Sequence, residues 1–198
     1  MLDATILGCG GTIPLHDRWL SSFLLRLNGK SILIDCGEGT QIALKQAGYT
    51  FKPIDAILFT HFHADHISGL AGLLLTMGNE GRTEPVTILC PKGGKQIIPA
   101  LLIIAPELLF DLDIIELDDV QEHSIAGFQI TSFPVQHAVP CFGYSFYIPR
   151  RGRFDAKRAM ELGVPQSEWS RLQKGECVQL DDRTISPEDV LGEERKGL

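Results

Sequence analysis

The chain has 198 residues, of which 44% are hydrophobic, so it can bury a sizeable core as one domain and disorder is not expected. Its formal net charge of −7 argues against general binding to nucleic acid. The acidic excess lies in residues 1–148, whereas residues 149–198 carry 10 basic and 10 acidic side chains. The tail therefore differs from the rest of the chain in its charge balance.

The five cysteines are widely spaced and never form a Cys-x-x-Cys pair, which argues against a disulfide framework and against a thiolate zinc site. No apolar stretch approaches the roughly 20 residues that a membrane helix needs. The chain also lacks the charged start and apolar run of a signal peptide. A reducing cytoplasm, with no membrane partner, is the simplest expectation.

The predicted elements begin with a strand in residues 4–14, which contains the glycine-rich segment GCGGT. This segment matches neither a dinucleotide loop nor a P-loop. Two apolar runs joined by Asn28 and Gly29 predict a hairpin, because this dipeptide accommodates the positive φ angles of a two-residue turn. The pattern then predicts an amphipathic helix over 39–47 and a buried strand over 55–60.

Strands and helices alternate further along the chain. The predicted helices cover 70–77 and 94–105, and the predicted strands cover 86–91, 112–117, 125–134 and 142–148. Pro99 is expected to start or kink the second helix. This alternation, together with the hairpin, predicts a layered α/β protein with mixed sheets. Residues 1–148 are expected to form its core, and residues 149–198 an extended arm or insertion with a short helix near 155–162.

The predicted buried strand leads directly into THFHADH, residues 60–66, which contains three of the six histidines. Alternate side chains of an extended chain share a face, so His61 and His63 can close on one ion. Asp65 and His66 follow where the chain must turn. A lone histidine at a strand end is usually a hydrogen-bonded core residue, but three of them with an aspartate would each need a separate partner. The run therefore predicts a metal site, and its donors suit zinc, with manganese or iron as substitutes.

The H-x-H-x-D-H run is typical of the metallo-β-lactamase superfamily, and its surroundings resemble the ribonuclease Z family, which trims the 3′ trailer from precursor tRNA. The similarity rests on GCGGTIPLHDRWLSSFLL, ILIDCGEGTQ, ILFTHFHADHISGLAGLL and FPVQHAVPCFGYSF. The tail segment LGVPQSEWSRLQKGECVQLDDRTISPEDVLG resembles the insertion with which the family clamps the tRNA elbow. The resemblance implies an αβ/βα sandwich with mixed sheets.

The resemblance also implies a zinc-dependent phosphodiesterase with two ions. Its metal ligands would be His61, His63 and His137 for one ion, and Asp65 and His66 for the other. Asp65 would in addition take a proton from the attacking water. Asp35, after a buried strand, would orient a ligand histidine. A turn residue or a helix cap is the alternative interpretation of Asp35.

Part of the family's ligand set has no match here. The family takes a bridging aspartate and a last histidine from its carboxy-terminal half, whereas no histidine follows His137. The later carboxylates Asp155, Asp181, Asp182 and Asp189 lie in the polar tail and are expected to be solvated. One ion or none is therefore an alternative to two. Much of the carboxy-terminal half of the sandwich also lacks a counterpart, which would leave an apolar sheet face open. A homodimer or a second chain is expected to cover that face, unless the chain is a fragment.

Several basic residues are candidates for contact with RNA. They are Arg18, in the loop PLHDRWLSS, and the run Arg150, Arg151, Arg153, Lys157 and Arg158. Basic contacts bind phosphates in a salt-dependent and largely sequence-independent way. A solvated face is the alternative interpretation of the run.

The expected function is removal of 3′ trailers from precursor tRNA by metal-dependent hydrolysis of a phosphodiester. Two alternatives stay open. One is a metallo-hydrolase of small phosphodiesters or thioesters. The other is a non-catalytic half-protein that keeps a partial metal site and an RNA-binding arm.

Overall fold

The computed structural model describes residues 1–105, 107–180 and 183–198, which form two compact units, Met1–Phe146 and Tyr147–Leu198. The strands are β1 (Leu2–Gly8), β2 (Ser22–Leu27), β3 (Lys30–Ile34), β4 (Ile54–Leu58), β5 (Val86–Pro91), β6 (Leu112–Leu117), β7 (Gln121–Ile125), β8 (Phe128–Pro134), β9 (Phe142–Tyr147), β10 (Val178–Leu180) and β11 (Arg183–Ile185). The helices are α1 (Thr40–Gln46), α2 (Ala64–Ile67), α3 (Leu70–Asn79), α4 (Gly94–Leu101), α5 (Ala156–Glu161) and α6 (Trp169–Lys174). No described helix is long and apolar enough to cross a membrane.

The first unit is built on a six-stranded mixed sheet in the order β1-β2-β3-β4-β5-β6. The first three strands pair antiparallel, and β3 to β6 pair parallel. The β2–β3 hairpin turns at Asn28 and Gly29, whose φ angles are 51° and 88°, as its sequence predicts. Because parallel strands end at one edge, the segments that follow β3, β4, β5 and β6 meet there.

Helices cover one face of this sheet. Leu44 of α1, Leu73 of α3 and Ile98 of α4 belong to one buried cluster with strand residues such as Leu33 and Ile57. Each of these side chains is fully buried. The predicted helix over 39–47 is present as α1, but its buried apolar residues are Ala43 and Leu44, whereas Ile42, which the pattern places on the apolar face, is 47% exposed. The helix predicted over 94–105 is α-helical to Leu101 and continues as a 3-10 turn over Leu102–Ile104.

A three-stranded sheet of β7, β8 and β9 lies against the opposite face, where the Tyr144 hydroxyl donates to the carbonyl of Phe59 at 2.7 Å. Residues on this face, such as Ile32 and Leu58, are fully buried. The coverage ends towards β1, where Leu2 and Ile6 are 42% and 72% exposed. The apolar face expected from the sequence is therefore covered in its centre and open at the β1 edge.

The sequence missed one hairpin in this smaller sheet. It predicts a single strand over 125–134, but the structure has β7 and β8, joined at Ala126 and Gly127. Both turn residues have positive φ, 55° and 87°. Gly127 is a usual turn residue, but alanine before it is not, so the pair is a weaker turn signal than Asn28–Gly29.

The second unit has its own small core rather than the extended form that the sequence predicts. Its buried residues are Ala159, Val164, Leu172, Val178, Ile185 and Val190. Asp155 accepts from the backbone N–H of Arg158 and caps α5, and Asp189 forms a capping box with Ser186. These two aspartates therefore stabilise helix ends, while Asp181 and Asp182 lie outside the described residues.

Glycines let the loop after β3 approach the loop after β4. The Cys36 N–H donates to the carbonyl of His66 at 2.7 Å, and the Gly69 N–H donates to the carbonyl of Cys36 at 2.9 Å. A Cβ atom on Gly69 would lie 2.3 Å from the carbonyl oxygen of Gly37. Such a contact is too short for any side chain, so the approach requires glycine.

We therefore expect Gly69→Ala to destabilise the protein by about 1–3 kcal/mol through overpacking. The matched control is Gly78→Ala in α3, where the new Cβ meets nothing closer than 3.9 Å. Because alanine has a higher helix propensity than glycine, Gly78→Ala is expected to stabilise the protein by up to about 1 kcal/mol. Urea unfolding followed by circular dichroism measures both. Equal midpoints for the two variants would contradict the close approach.

Candidate metal centre

The histidine run leaves the sheet at the carboxyl end of β4. The Phe142 N–H donates to the carbonyl of Thr60 at 2.9 Å, so β9 holds the start of the run in place. His63 is the N-cap residue of α2 and has extended backbone angles, φ −69° and ψ 150°. Asp65 and His66 lie on the turn of helix that follows. The predicted change from extended chain to a turn is thus present.

Three imidazoles converge at this point. The Nδ1 atom of His63 lies 3.0 Å from Nε2 of His61 and 3.4 Å from Nε2 of His137. A tetrahedral zinc ion with bonds of about 2.0–2.1 Å separates two nitrogen ligands by about 3.3 Å. The donor atoms of these three residues lie within 4.8 Å of one another, so they fit a metal ion. His61 is buried, and the other two are exposed.

The Asp35 carboxylate orients two of the histidines. It accepts from Nδ1 of His66 at 2.8 Å, from the Thr60 N–H at 2.8 Å and from the Thr60 hydroxyl at 2.9 Å. Because that hydroxyl donates to Asp35, it accepts from Nδ1 of His61 at 3.0 Å. In its neutral form each of the two histidines therefore carries its proton on Nδ1 and leaves Nε2 unprotonated. This arrangement leaves each Nε2 able to bind a metal.

Asp65 and His66 form a second pair of donors. Their Oδ2 and Nε2 atoms lie 3.8 Å apart. The Asp65 carboxylate also accepts from the backbone N–H of Thr12 at 3.1 Å. Thr12 has a φ of 64° and ends the glycine-rich loop after β1. Among the described residues, only the three-histidine group reaches three converging donors.

Burial and neighbouring imidazoles lower the pKa of His61 to about 4, which keeps it in the neutral form that binds metal. Burial raises the pKa of Asp65, but the Thr12 N–H and nearby imidazoles lower it more, so the net shift is downward. Burial lowers the pKa of His66, whereas its hydrogen bond to Asp35 raises it more. At neutral pH the site therefore combines an ionised carboxylate with neutral His61.

The structure also locates the basic candidates. Arg18 donates to the carbonyl of Cys9 at 2.9 Å, which uses part of its guanidinium within its own loop. All residues of the predicted basic run in the second unit are exposed. Within the described ranges, the one ion pair from this run joins Arg158 to Glu161 at 3.6 Å.

Sequence reasoning missed two supporting residues, Thr60 and Thr12. Thr60 stands directly before His61, but its hydroxyl bridge to Asp35 depends on contact between two separate loops. Thr12 belongs to the GCGGT segment, which carries no recognised ligand spacing. The only signal in the sequence was the glycine content of that loop.

Comparison with known proteins identifies the family. A family model described as "Anti-Pycsar protein Apyc1" matches residues 2–161. The chain is similar to a ribonuclease Z from Lachnospira eligens, 56% identical over the whole chain and 66% of that protein. A ribonuclease Z from Clostridium botulinum is 43% identical, with the whole chain and 67% of the relative covered. The chain belongs to the ribonuclease Z family. It spans about two thirds (66%) of the length of the first of these relatives.

Solved structures agree with this ribonuclease Z assignment. The human tRNase Z short form superposes with a TM-score of 0.67 at 30% identity, over 74% of this chain and 64% of that one. The metallo-β-lactamase-fold protein YhfI from Bacillus subtilis superposes with a TM-score of 0.62 at 23% identity, over 73% of this chain and 57% of that one. This similarity is one of fold. The predicted metallo-β-lactamase-like fold is thus confirmed.

We expect His63→Ala to abolish metal binding, because His63 contacts both other histidines of the centre. Purified wild-type protein should hold about one ion per chain at a three-histidine site, and His63→Ala almost none. His16→Ala is the control, since His16 is exposed and, among the described residues, its side chain bonds only to neighbouring Asp17. Elemental analysis after removal of loosely held metal measures all three proteins. Full metal content in His63→Ala would contradict the site.

Proposed function

We propose that the chain acts as a metal-dependent endoribonuclease that removes 3′ trailers from precursor tRNA. The observation that carries this proposal is the three-histidine centre beside the Asp65–His66 pair, in a member of the ribonuclease Z family. Whether 198 residues suffice for this activity is part of the proposal, because the relatives are longer.

His61, His63 and His137 would hold the metal ion through the nitrogens that converge in the structure. A bound zinc ion supplies Lewis acidity and a lowered pKa for coordinated water. Asp65 accepts the proton of the attacking water, because its carboxylate is ionised at neutral pH and is fixed by the Thr12 N–H. Asp35 and Thr60 keep His61 and His66 in the tautomer that leaves Nε2 free to bind a metal.

We infer that zinc is the metal and that one ion is held tightly. Three imidazoles make a set of donors that suits zinc. The Asp65–His66 pair has two donors, fewer than zinc sites use, so a second ion would need ligands from elsewhere. The non-catalytic alternative, a partial metal site with an RNA-binding arm, draws its support from this shortage.

The second unit is proposed to bind the RNA. Arg150, Arg151, Arg153 and Lys157 are exposed, and none of them forms an ion pair with a described carboxylate. Exposed arginines suit phosphate contacts because they remain charged and donate in a planar fork. The division at 148 and 149, with a core and an RNA-binding arm, belongs to the same proposal.

We also propose that a second chain, or a second copy of this one, covers the open apolar edge at β1. Exposed Leu2 and Ile6 support this. The free cysteines suit a reducing compartment, so we place the protein in the cytoplasm.

Asp65→Asn is expected to lower precursor-tRNA cleavage by about 10²- to 10⁴-fold, because the amide cannot accept the proton. Asp113→Asn, an exposed residue of β6, is the control. Single-turnover cleavage of a precursor tRNA with a trailer measures the effect, and bis(p-nitrophenyl) phosphate reports hydrolysis of a simple diester. A metal-loaded wild type that leaves both substrates intact would support the non-catalytic alternative. Diester hydrolysis without trailer removal would favour a small-substrate hydrolase.

The triple variant Arg151→Ala, Arg153→Ala, Lys157→Ala should bind precursor tRNA more weakly. Its slope of log affinity against log salt should fall by about one for each phosphate that a removed side chain had neutralised. A triple variant in the first unit, Lys30→Ala, Lys45→Ala, Lys52→Ala, removes the same charge and serves as control. Filter binding at several salt concentrations measures both. Equal slopes for the two variants would contradict an RNA-binding role of the second unit.

A further inference from the structure

A cavity of about 470 Å³ opens beside His137. This volume lies in the range of pockets that hold small ligands. Its wall is formed by residues 134–142, the segment that carries His137, and it is closed by Lys92, Leu117 and Asp118. Because His137 belongs both to this wall and to the metal centre, a ligand in the cavity lies next to the metal centre.

The sheet topology explains why the two charged residues meet here. β5 ends at Pro91 and β6 ends at Leu117, so Lys92 and Asp118 each follow directly on neighbouring parallel strands. The histidine run follows β4 at the same edge. Ligands of such sheets bind outside the carboxyl ends of parallel strands. The cavity therefore occupies the expected place for an extension of the active site.

The two charged groups of the cavity form a loose, exposed ion pair, and only Asp118 is fixed by a hydrogen bond. The Lys92 ammonium lies 3.8 Å from Oδ2 of Asp118, which is longer than a hydrogen bond. Gln121 donates to Oδ1 of Asp118 at 3.0 Å and fixes the carboxylate. Both charged side chains are more than half exposed, at 70% and 55%. A ligand can thus approach a cation and an anion that stand side by side.

The rest of the wall combines polar Gln136 and His137 with an apolar part. Val135, Val139 and Pro140 belong to it, and Leu117 closes it from the sheet. An apolar wall beside a cation and a hydrogen-bond acceptor matches the three parts of a ribonucleotide, namely the base, the phosphate and the ribose hydroxyls. A purely anionic ligand such as free phosphate would leave the apolar part of the wall without a contact.

We propose that this cavity is a subsite for one ribonucleotide of the RNA, next to the phosphodiester that is hydrolysed. The proposal rests on the proposed function. Lys92 contacts the phosphate of this nucleotide, Asp118 accepts hydrogen bonds from its ribose hydroxyls, and the apolar wall contacts the base. The 2′-hydroxyl distinguishes RNA from DNA, so Asp118 contributes to the choice of RNA as substrate.

The test is the binding of uridine 5′-monophosphate and of its 2′-deoxy analogue to the full chain, treated with a chelator so that no metal binds the phosphate. Amide chemical shifts in nuclear magnetic resonance spectra locate the ligand, and their titration gives the dissociation constants. We expect the shifts to centre on residues 134–142. The ribonucleotide should bind about tenfold more tightly than the deoxyribonucleotide, because only the ribonucleotide has a 2′-hydroxyl to donate to the carboxylate.

Variants of Lys92 and Asp118 test the role of each residue in nucleotide binding. Lys92→Ala should weaken binding of both nucleotides about tenfold, and Lys92→Arg should restore most of the affinity. Asp118→Ala should remove the preference for the ribonucleotide. Lys30→Ala is the control and should change nothing, because Lys30 begins β3 at the opposite edge of the parallel strands. Equal affinity of the wild type for the two nucleotides, shifts outside this loop, or an unchanged Lys92→Ala would overturn the subsite.

This result is separate from the outcome for the proposed function, because it uses neither metal nor cleavage. Trailer removal in a protein that does not bind the nucleotide would leave the function standing and reject the subsite. Nucleotide binding in a metal-loaded protein that never cleaves RNA would reject the function and leave a ribonucleotide site beside the metal centre.

Discussion

The buried carboxylate of Asp35 is the interaction on which the metal centre depends. It is only 5% exposed, and a buried carboxylate is stable only when hydrogen-bond donors surround it. Its donors come from Thr60 and His66, two residues of the loop that supplies the histidines. The requirement to satisfy one charge therefore fixes the tautomer of His66 directly and that of His61 through the Thr60 hydroxyl. The contacts that join the two loops are therefore the same contacts that orient these two histidines.

Backbone geometry makes this contact possible. Asp35 has a φ of 57°, a conformation that aspartate adopts more readily than most residues, and this turns the chain sharply after β3. The adjacent Cys36 then exchanges backbone hydrogen bonds with the histidine loop, and Gly37 and Gly69 leave room for that approach. Sheet order places the two loops side by side, because β3 and β4 are parallel neighbours. The strand order thus brings the two loops together, and the side chains then determine the contacts between them.

The sequence predicts features that depend on neighbouring residues better than features that depend on contacts between distant residues. The Asn28–Gly29 hairpin and the histidine run are local patterns, and the structure contains both as predicted. Asp35 has two interpretations at the level of sequence, because its partners lie 25 and 31 residues away. The compact second unit was missed because its core residues are few and spread over short elements, so no periodicity marks them. Contacts between distant loops, rather than the elements themselves, were the part that sequence could not supply.

The two groups of donors in the centre differ in how many ligands they offer. His61, His63 and His137 converge from two separate segments, after β4 and before β9, and need nothing beyond the first unit to do so. Asp65 and His66 are equally well oriented by Thr12 and Asp35, but they supply only two donors. Orientation by the fold and number of ligands are therefore independent properties of a metal site. In this chain the fold orients the donors of both groups. Among the described residues, however, only the three-histidine group has the number of donors that a tightly bound zinc ion needs.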